Sequence, residues 1–462
     1  MWLSKISKQI IGYFHKVNKT KTMILKEMLV RVLTLKEHQG FLKYLKNTSW
    51  MMAEQFLRMI AGLFVAFWVA RYLGPEQFGV FSYTLAFTAI FSGVAKLGLD
   101  GIMVRELVNF PEKYDVYLGT AFWLKVIGAI LVIGVVTLIV PFTSNDVETN
   151  VFIFIIVMGL VFQSFEVIEF YFQSQVLAKV VSICKIIQLV LSSLVKIYLV
   201  LAKAELIWFV FVATFDVMTL AVSYFIVYRL KEKKSFYKEF DVSIARLLLK
   251  DSWPLIFSSI VVTIYMRIDQ IMIKEMLGEY DVGIYSSAVR LSEVFYFIPM
   301  IISTSLFPAI IKAKKQGERH YKKRLQQLYT FMVWVAIAIA TPITFIADWL
   351  IVCLFGSAYL EAGLVLSIHI WAAIFVFLGV PFSKYLLSEN LSKLAFQRTL
   401  LGAIINIILN FFLIPMYGVL GAAVATLISQ FVANYVYDFF DARLKSQLII
   451  KTKSIFMPWD CF

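Results

Sequence analysis

RYLGPEQFGVFSY, residues 71–83, lies between two long apolar runs, and the chain writes EMLGEYDVGIYSS at residues 275–287 in the same setting. Leu73, Gly74, Gly79 and Ser82 stand opposite Leu277, Gly278, Gly283 and Ser286 at a single offset of 204, and Phe81 stands opposite Tyr285. The flanks agree as well. Ser49-Trp50 opens the first run and Ser252-Trp253 opens its counterpart, with a difference of one residue in spacing. A phrase repeated between apolar runs marks a duplicated unit. Glycine permits the tight backbone turn that would join two antiparallel helices. Gly74, Gly79, Gly278 and Gly283 are therefore expected to be structural hinge-turn residues, with Ser82 and Ser286 in the first turn of the next helix.

The composition says where such a unit lives. Of 462 residues, 60% are hydrophobic and 16% charged, too little polar surface for a soluble domain of this length. Apolar runs near the ~20 residues needed to cross a hydrocarbon core recur throughout. Hydropathy places them at about 50–70, 79–98, 118–140, 151–172, 180–201 and 206–228. After a polar link they recur at 252–273, 283–308, 328–354, 362–386, 394–414 and 418–438. The expected fold is an all-α integral membrane protein of about 12 transmembrane helices in two six-helix bundles. The basic N-terminus is followed by no short apolar segment with a small-residue cleavage site, so the first spanning helix is expected to stay inserted.

Twelve crossings put both termini on one side. The loops of the other side hold only Arg71, Lys203 and Lys274 of the 44 Lys and Arg residues, so the termini are expected in the cytoplasm. Six helices per copy give the halves one orientation and relate them by a pseudo-two-fold along the membrane normal. The domains are then residues 1–48, 49–228, 229–250, 251–440 and 441–462. These are a basic extension, the N-terminal bundle, a charged cytoplasmic linker, the C-terminal bundle and a cytoplasmic tail. The extension carries ten basic and two acidic residues, and Met23, Ile24, Met28, Leu29, Val32 and Leu33 form one apolar face. Such a helix would lie in the membrane interface. The net charge of +14 sits in loops such as KAKKQGERHYKKR, residues 312–324, which suits anionic headgroups. No nucleic-acid module accompanies it. Cys184, Cys353 and Cys461 give neither a disulfide framework nor a metal site, His369 reads as a packing residue, and no cofactor is expected.

Residues 68–107 carry WVARYLGPEQFGVFSYTLAF and then LGLDGIMVREL, the second half carries RIDQIMI at 267–273, and NFFLIPMYGVLGAAVAT follows at 410–426. Over roughly residues 47–440 these segments resemble bacterial polysaccharide and O-antigen repeat-unit flippases. These form the polysaccharide branch of the multidrug/oligosaccharidyl-lipid/polysaccharide superfamily. The resemblance implies a transporter in the bacterial cytoplasmic (inner) membrane. It implies alternating access between two bundles arranged as a V around a hydrophilic, often cationic cavity. The substrate implied is an undecaprenyl-pyrophosphate-linked oligosaccharide, with membrane lipids and the polymerase and chain-length proteins of the pathway as partners.

Charges inside spanning helices are costly and are functional candidates by default. For a pyrophosphate, arginine is the better donor because its fork contacts two oxygens. Arg290 lies about two turns into the eighth helix, where by resemblance related flippases place a cavity arginine; Glu293, three residues on, is the group that would otherwise neutralise it. Arg58 is a second candidate, with Glu54 one turn earlier as a helical partner. Arg267 and Asp269 are two residues apart and face differently, so one can reach a cavity while the other pairs elsewhere. Lys96, Lys125 and Lys185 lie near the interface, where snorkelling to headgroups is the favoured reading; Lys96 is kept as a cavity cation. Asp216, Glu166 and Glu169 are candidates for coupling to protons or sodium, or for pairing with Lys185 or Lys196; Glu293, Asp269 and Glu54 share these alternatives.

An enzyme acting on lipid-linked sugars would need a sizeable extramembrane domain with catalytic or metal-binding groups, and the sequence has no P-loop, HExxH or loop DxD. A cation or drug antiporter of the same superfamily is the nearer alternative, resting on the acidic residues named above.

Overall fold

A bilayer offers no water to the backbone, so each N–H and C=O must pair within the chain, and helices achieve this locally. The computed structural model describes residues 39–232, 235–314 and 316–457. Among these residues it is helical and contains no strand. The amphipathic face expected over residues 23–33 lies outside them.

The first half comprises α1 (Gln39–Lys96), α2 (Asp100–Asn109), α3 (Tyr114–Ile139), α4 (Val147–Gly159), α5 (Val167–Ser174), α6 (Ala178–Leu201) and α7 (Leu206–Glu232). The second comprises α8 (Val242–Met276), α9 (Glu279–Glu293), α10 (Phe297–Lys314), α11 (Glu318–Phe355), α12 (Ala362–His369), α13 (Ala372–Ser388), α14 (Ser392–Tyr417) and α15 (Val419–Asn434). A final helix, α16 (Lys445–Phe456), follows. Ten segments among the described residues are long and apolar enough to cross a membrane, and α12 with α13, bent by 41°, makes an eleventh. The first segment, Ser49–Asn109, spans 61 residues, about 90 Å of helix against a core of about 30 Å. It holds two crossings joined at Gly74, which brings the arrangement to twelve.

Gly74 (φ 71°) and Gly278 (φ 115°) take the left-handed backbone that a turn between helices requires. The turn is confined to these two. Gly79 and Gly283 lie inside helices and do something different from the hinge role expected of them. A Cβ on Gly79 would overlap the backbone carbonyl of Glu279, and one on Gly283 would overlap that of Pro75. Each half thus lays its second helix across the turn of the other.

Burial divides the molecule unevenly. At the end bearing the Gly74 and Gly278 turns, one apolar core draws on both halves, from Phe67, Phe78 and Phe209 to Ile351, Phe355 and Tyr359. Tyr359 donates to the Ala70 carbonyl at 2.6 Å and Lys274 to Ser144 Oγ at 2.8 Å, each joining the two halves. At the opposite, basic end the halves keep separate cores, one around Leu118, Phe172 and Tyr224 and the other around Tyr329, Phe377 and Phe382. The shape is a V, closed at the turn end. Along one flank α1 and α8 stay in touch towards the basic end, where Gly93 meets Ser259 and Gly98 meets Leu255. There Arg105 joins Asp251 at 2.6 Å.

The link between halves is shorter than residues 229–250. Phe236–Lys238 forms a single 3-10 turn seated against Gly119 of α3. Asp241 then caps α8 by accepting from the Ile244 N–H at 2.9 Å. The second half of the linker is the start of a spanning helix. The segment after residue 440 is likewise no free tail over 445–456: α16 docks on the second half, where Lys451 meets Asp438 at 2.6 Å with both side chains fully buried.

Candidate functional site

The space between the arms of the V is lined by one stripe of each inner helix. On α1, Phe78, Ser82, Leu85 and Ala89 fall on one face, at the helical spacing of three and four. With Arg267 and Gln270 of α8 and Ser286, Arg290 and Glu293 of α9, they enclose a cavity of about 340 Å³. A second cavity of about 290 Å³ opens beside it within the first half, lined by Gly62, Ala66, Lys196 and Asp216 among others. Phe78, Leu85 and Arg290 border both. Arg290 therefore stands at the junction of the two chambers.

Its surroundings explain how a bare cation is held there. Glu293 pairs with Arg267 at 3.6 Å rather than with Arg290. Arg290 has no hydrogen bond or ion pair among the described residues, and its guanidinium lies 6.0 Å from the centroid of the Phe78 ring. A ring face offers modest attraction and no acceptor, so all five N–H donors of Arg290 stay available. The Arg267–Glu293 pair is loose and both side chains keep some exposure to the cavity, 32% and 22%. The structure thus brings Arg290, Arg267 and Glu293 together.

Arg58 makes the helical pair expected of it. It donates to Glu54 at 2.7 Å, yet its Nη2 is buried without a hydrogen-bond partner. It sits one turn before Gly62 on the face of α1 that lines the second chamber. Lys96 belongs to a third cavity, of about 370 Å³ at the basic end of the first half, with Glu166, Glu169, Phe170, Gln173 and Lys185.

The acidic candidates separate cleanly. Asp216 meets Lys196 at 3.0 Å, Glu166 meets Lys125 at 3.0 Å and Glu169 meets Lys185 at 2.6 Å. Glu54 and Glu293 have their arginines. Asp269 alone among the six has no cationic partner: it points away from Arg267 into the second half, where Tyr285, Thr426 and Asn410 donate to it. Asn406 holds Asn410 at 3.2 Å, and Asn410 Oδ1 has no partner. Asn406, Asn410 and Thr426 escaped the reading of the sequence because neutral polar residues draw no notice there; the spacing of four that puts Asn406 and Asn410 on one face of α14 was the available signal.

Two helical halves, sharing a core at one end and holding a cationic chamber between their arms, define a membrane transporter of the two-bundle class. The chain belongs to the family of polysaccharide biosynthesis proteins, whose pattern matches residues 44–314; the MatE family pattern matches residues 254–412. The capsular polysaccharide biosynthesis protein CapF of Staphylococcus aureus is 23% identical over 86% of this chain and 99% of its own length. The probable flippase AglR of Haloferax volcanii is 25% identical over 80% of this chain and 77% of its own. Among solved structures, lipid II flippase MurJ in an inward closed conformation superposes with a TM-score of 0.68 at 17% identity, covering 88% of this chain and 91% of that one. An inward-facing multidrug resistance transporter of the MATE family gives 0.64 at 13% identity, covering 87% and 96%.

Proposed function

We propose that this protein carries a lipid-linked oligosaccharide repeat unit, held on undecaprenyl pyrophosphate, from the cytoplasmic to the outer leaflet of a bacterial cytoplasmic membrane. Its product would feed surface polysaccharide synthesis, with a polymerase and chain-length protein acting downstream. Both termini and the basic end face the cytoplasm, so the V is open inward. The observation that carries this reading is Arg290, a partly buried arginine with no anion hydrogen-bonded or ion-paired to it among the described residues, placed where two chambers meet. Arg267 stands beside it in a weak pair that a diphosphate can displace. Charge-assisted contacts of a fork-shaped donor to phosphate oxygens are among the stronger hydrogen bonds. The lipid tail stays in the bilayer while the polar group fills the chamber; closure of the basic end and parting of the turn end then deliver it outward.

Transport against a gradient needs a coupled step, and Asp269 is the group on which we place it. A buried carboxylate surrounded by neutral donors is uncompensated unless a proton or cation binds with it. Its Tyr285 partner lies on α9, the helix that carries Arg290, so occupancy and substrate binding bear on one element.

The test is a deletion of the gene in its host with surface polymer and lipid-linked repeat units assayed together. Loss of polymer with repeat units held on the cytoplasmic leaflet, rescued by wild type and not by Arg290→Ala, is the expected result. Normal polymer in the deletion strain, with no redundant transporter, overturns the reading in favour of a cation or drug antiporter. That alternative would rest on Asp216, Glu166 and Glu169, which Lys196, Lys125 and Lys185 already pair.

A further inference from the structure

The third cavity is chemically unlike the first. Lys96 and Lys185 line it with Asp100, Glu166 and Glu169, and Lys125 stands behind Glu166. Three lysines against three carboxylates leave no net attraction for an anion. The residues are also largely committed to one another: Glu169 accepts from Lys185, from Gln173 at 3.0 Å and from Tyr224 at 2.7 Å. What stays open is mixed. Lys96 Nζ has no hydrogen bond or ion pair among the described residues, and Glu166 Oε1 and Gln173 Oε1 are free acceptors. Phe170 contributes a ring to the wall.

Its position ties it to the central chamber. Lys96 lies seven residues beyond Ala89, two full turns on the same face of α1, about 10 Å along the helix. Lys185 lies four residues before Leu189 on α6, the face that lines the second chamber. The lining stripes of two helices both run into this cavity, so one extended ligand could occupy it and the central chamber at once.

We infer that this cavity is the sugar subsite: it takes neutral hydroxyl-bearing rings of the oligosaccharide while Arg290 and Arg267 hold the diphosphate. Each sugar hydroxyl is both donor and acceptor, which matches free acceptors on Glu166 and Gln173 beside a free donor on Lys96. A diphosphate placed here would meet no net positive charge. The inference rests on the flippase reading above and adds to it the part of the protein that discriminates one repeat unit from another.

The experiment uses the full-length protein in lipid nanodiscs and two probes, undecaprenyl pyrophosphate and the undecaprenyl-pyrophosphate-linked repeat unit purified from the host. Lys96→Met and Gln173→Leu should each weaken the linked repeat unit about tenfold, the scale of one lost hydrogen bond to a polar or charged group, and leave undecaprenyl pyrophosphate unchanged. Lys96→Arg should bind both as wild type does, and thermal midpoints report that each variant is folded. Arg290→Ala should weaken both probes. Equal weakening of the two probes by Lys96→Met and Gln173→Leu would overturn the inference by making this a diphosphate or headgroup site. No effect of either variant, with Arg290→Ala still weakening both probes, would overturn it while sparing the flippase reading. If Arg290→Ala changes neither probe, the flippase reading itself fails.

Discussion

Gly79 and Gly283 are counterparts in the two halves, and each packs on the carbonyl of the residue that stands in the equivalent place of the other half, Glu279 and Pro75. The repeated phrase is thus an interlocking contact as well as a pair of turns. Its symmetry makes the closed turn end a defined state, since both glycines must approach together. Adding an isopropyl group at Gly79 forces side chain against the Glu279 backbone. Overpacking of this kind costs about 1–3 kcal/mol, enough to move a balanced two-state equilibrium by roughly tenfold. Gly79→Val should therefore favour the state with the turn end parted. Spin labels at positions 203 and 280, one on each half, should report longer distances in the variant than in wild type; unchanged distances would show that the crossing yields without parting.

Arg267 and Glu293 provide a test of why Arg290 is free. Removing Arg267 releases a carboxylate three residues from Arg290 on the same helix face, and the two should then pair. Arg267→Ala should lose more polymer synthesis than the double variant Arg267→Ala, Glu293→Gln, although the double variant lacks two of the charged groups. The pair faces the cavity, so the cost of leaving one partner alone is about 1–3 kcal/mol. Polymer yield in the complemented deletion host reads the order of the three alleles, and a double variant no better than Arg267→Ala would show that Glu293 does not hold Arg290.

How far these features were legible in the sequence follows from what each depends on. The twelve crossings and the repeat were readable because hydropathy and a fixed offset are local properties. Arg290 was readable because a charge in an apolar run is conspicuous. Its freedom from Glu293 was not, since a separation of three residues permits pairing and only the position of Arg267 on another helix decides against it. Gly79 was expected in a turn because glycine serves turns and close contacts alike, and no sequence pattern separates the two uses. The docking of α16 was missed for a similar reason: SQLIIKTKSIF, residues 446–456, has two lysines that look solvated until Asp438 appears opposite one of them.

That last helix yields a stability prediction. Lys451 donates to Asp438 at 2.6 Å and to the Asn434 carbonyl at 2.8 Å, and lies 3.3 Å from the centroid of the Phe382 ring. Breaking a fully buried pair by removing one partner costs about 3–5 kcal/mol, whereas replacing both by apolar groups is often neutral. Lys451→Met should lower the thermal midpoint of the purified protein sharply, and Lys451→Met with Asp438→Leu should recover most of the loss. Equal destabilisation by the single and double variants would mean that α16 is held by other contacts.

Asp269 and Asp216 offer the sharpest contrast, because both are carboxylates inside spanning helices and only one has a lysine. If Asp269 carries the coupled ion, Asp269→Asn should keep the fold, since an amide fits the same donors with a single reversal, and should remove the dependence of transport on a cation gradient. Asp216→Asn should instead leave Lys196 uncompensated in the second chamber. Its penalty is that of leaving one partner of a mostly buried pair alone, about 1–3 kcal/mol, with the gradient dependence intact. Flux of the lipid-linked repeat unit in proteoliposomes, measured with and without imposed proton and sodium gradients, separates the two. Wild-type flux indifferent to both gradients would remove the coupling role from Asp269 and leave its cluster as the polar core of the second half.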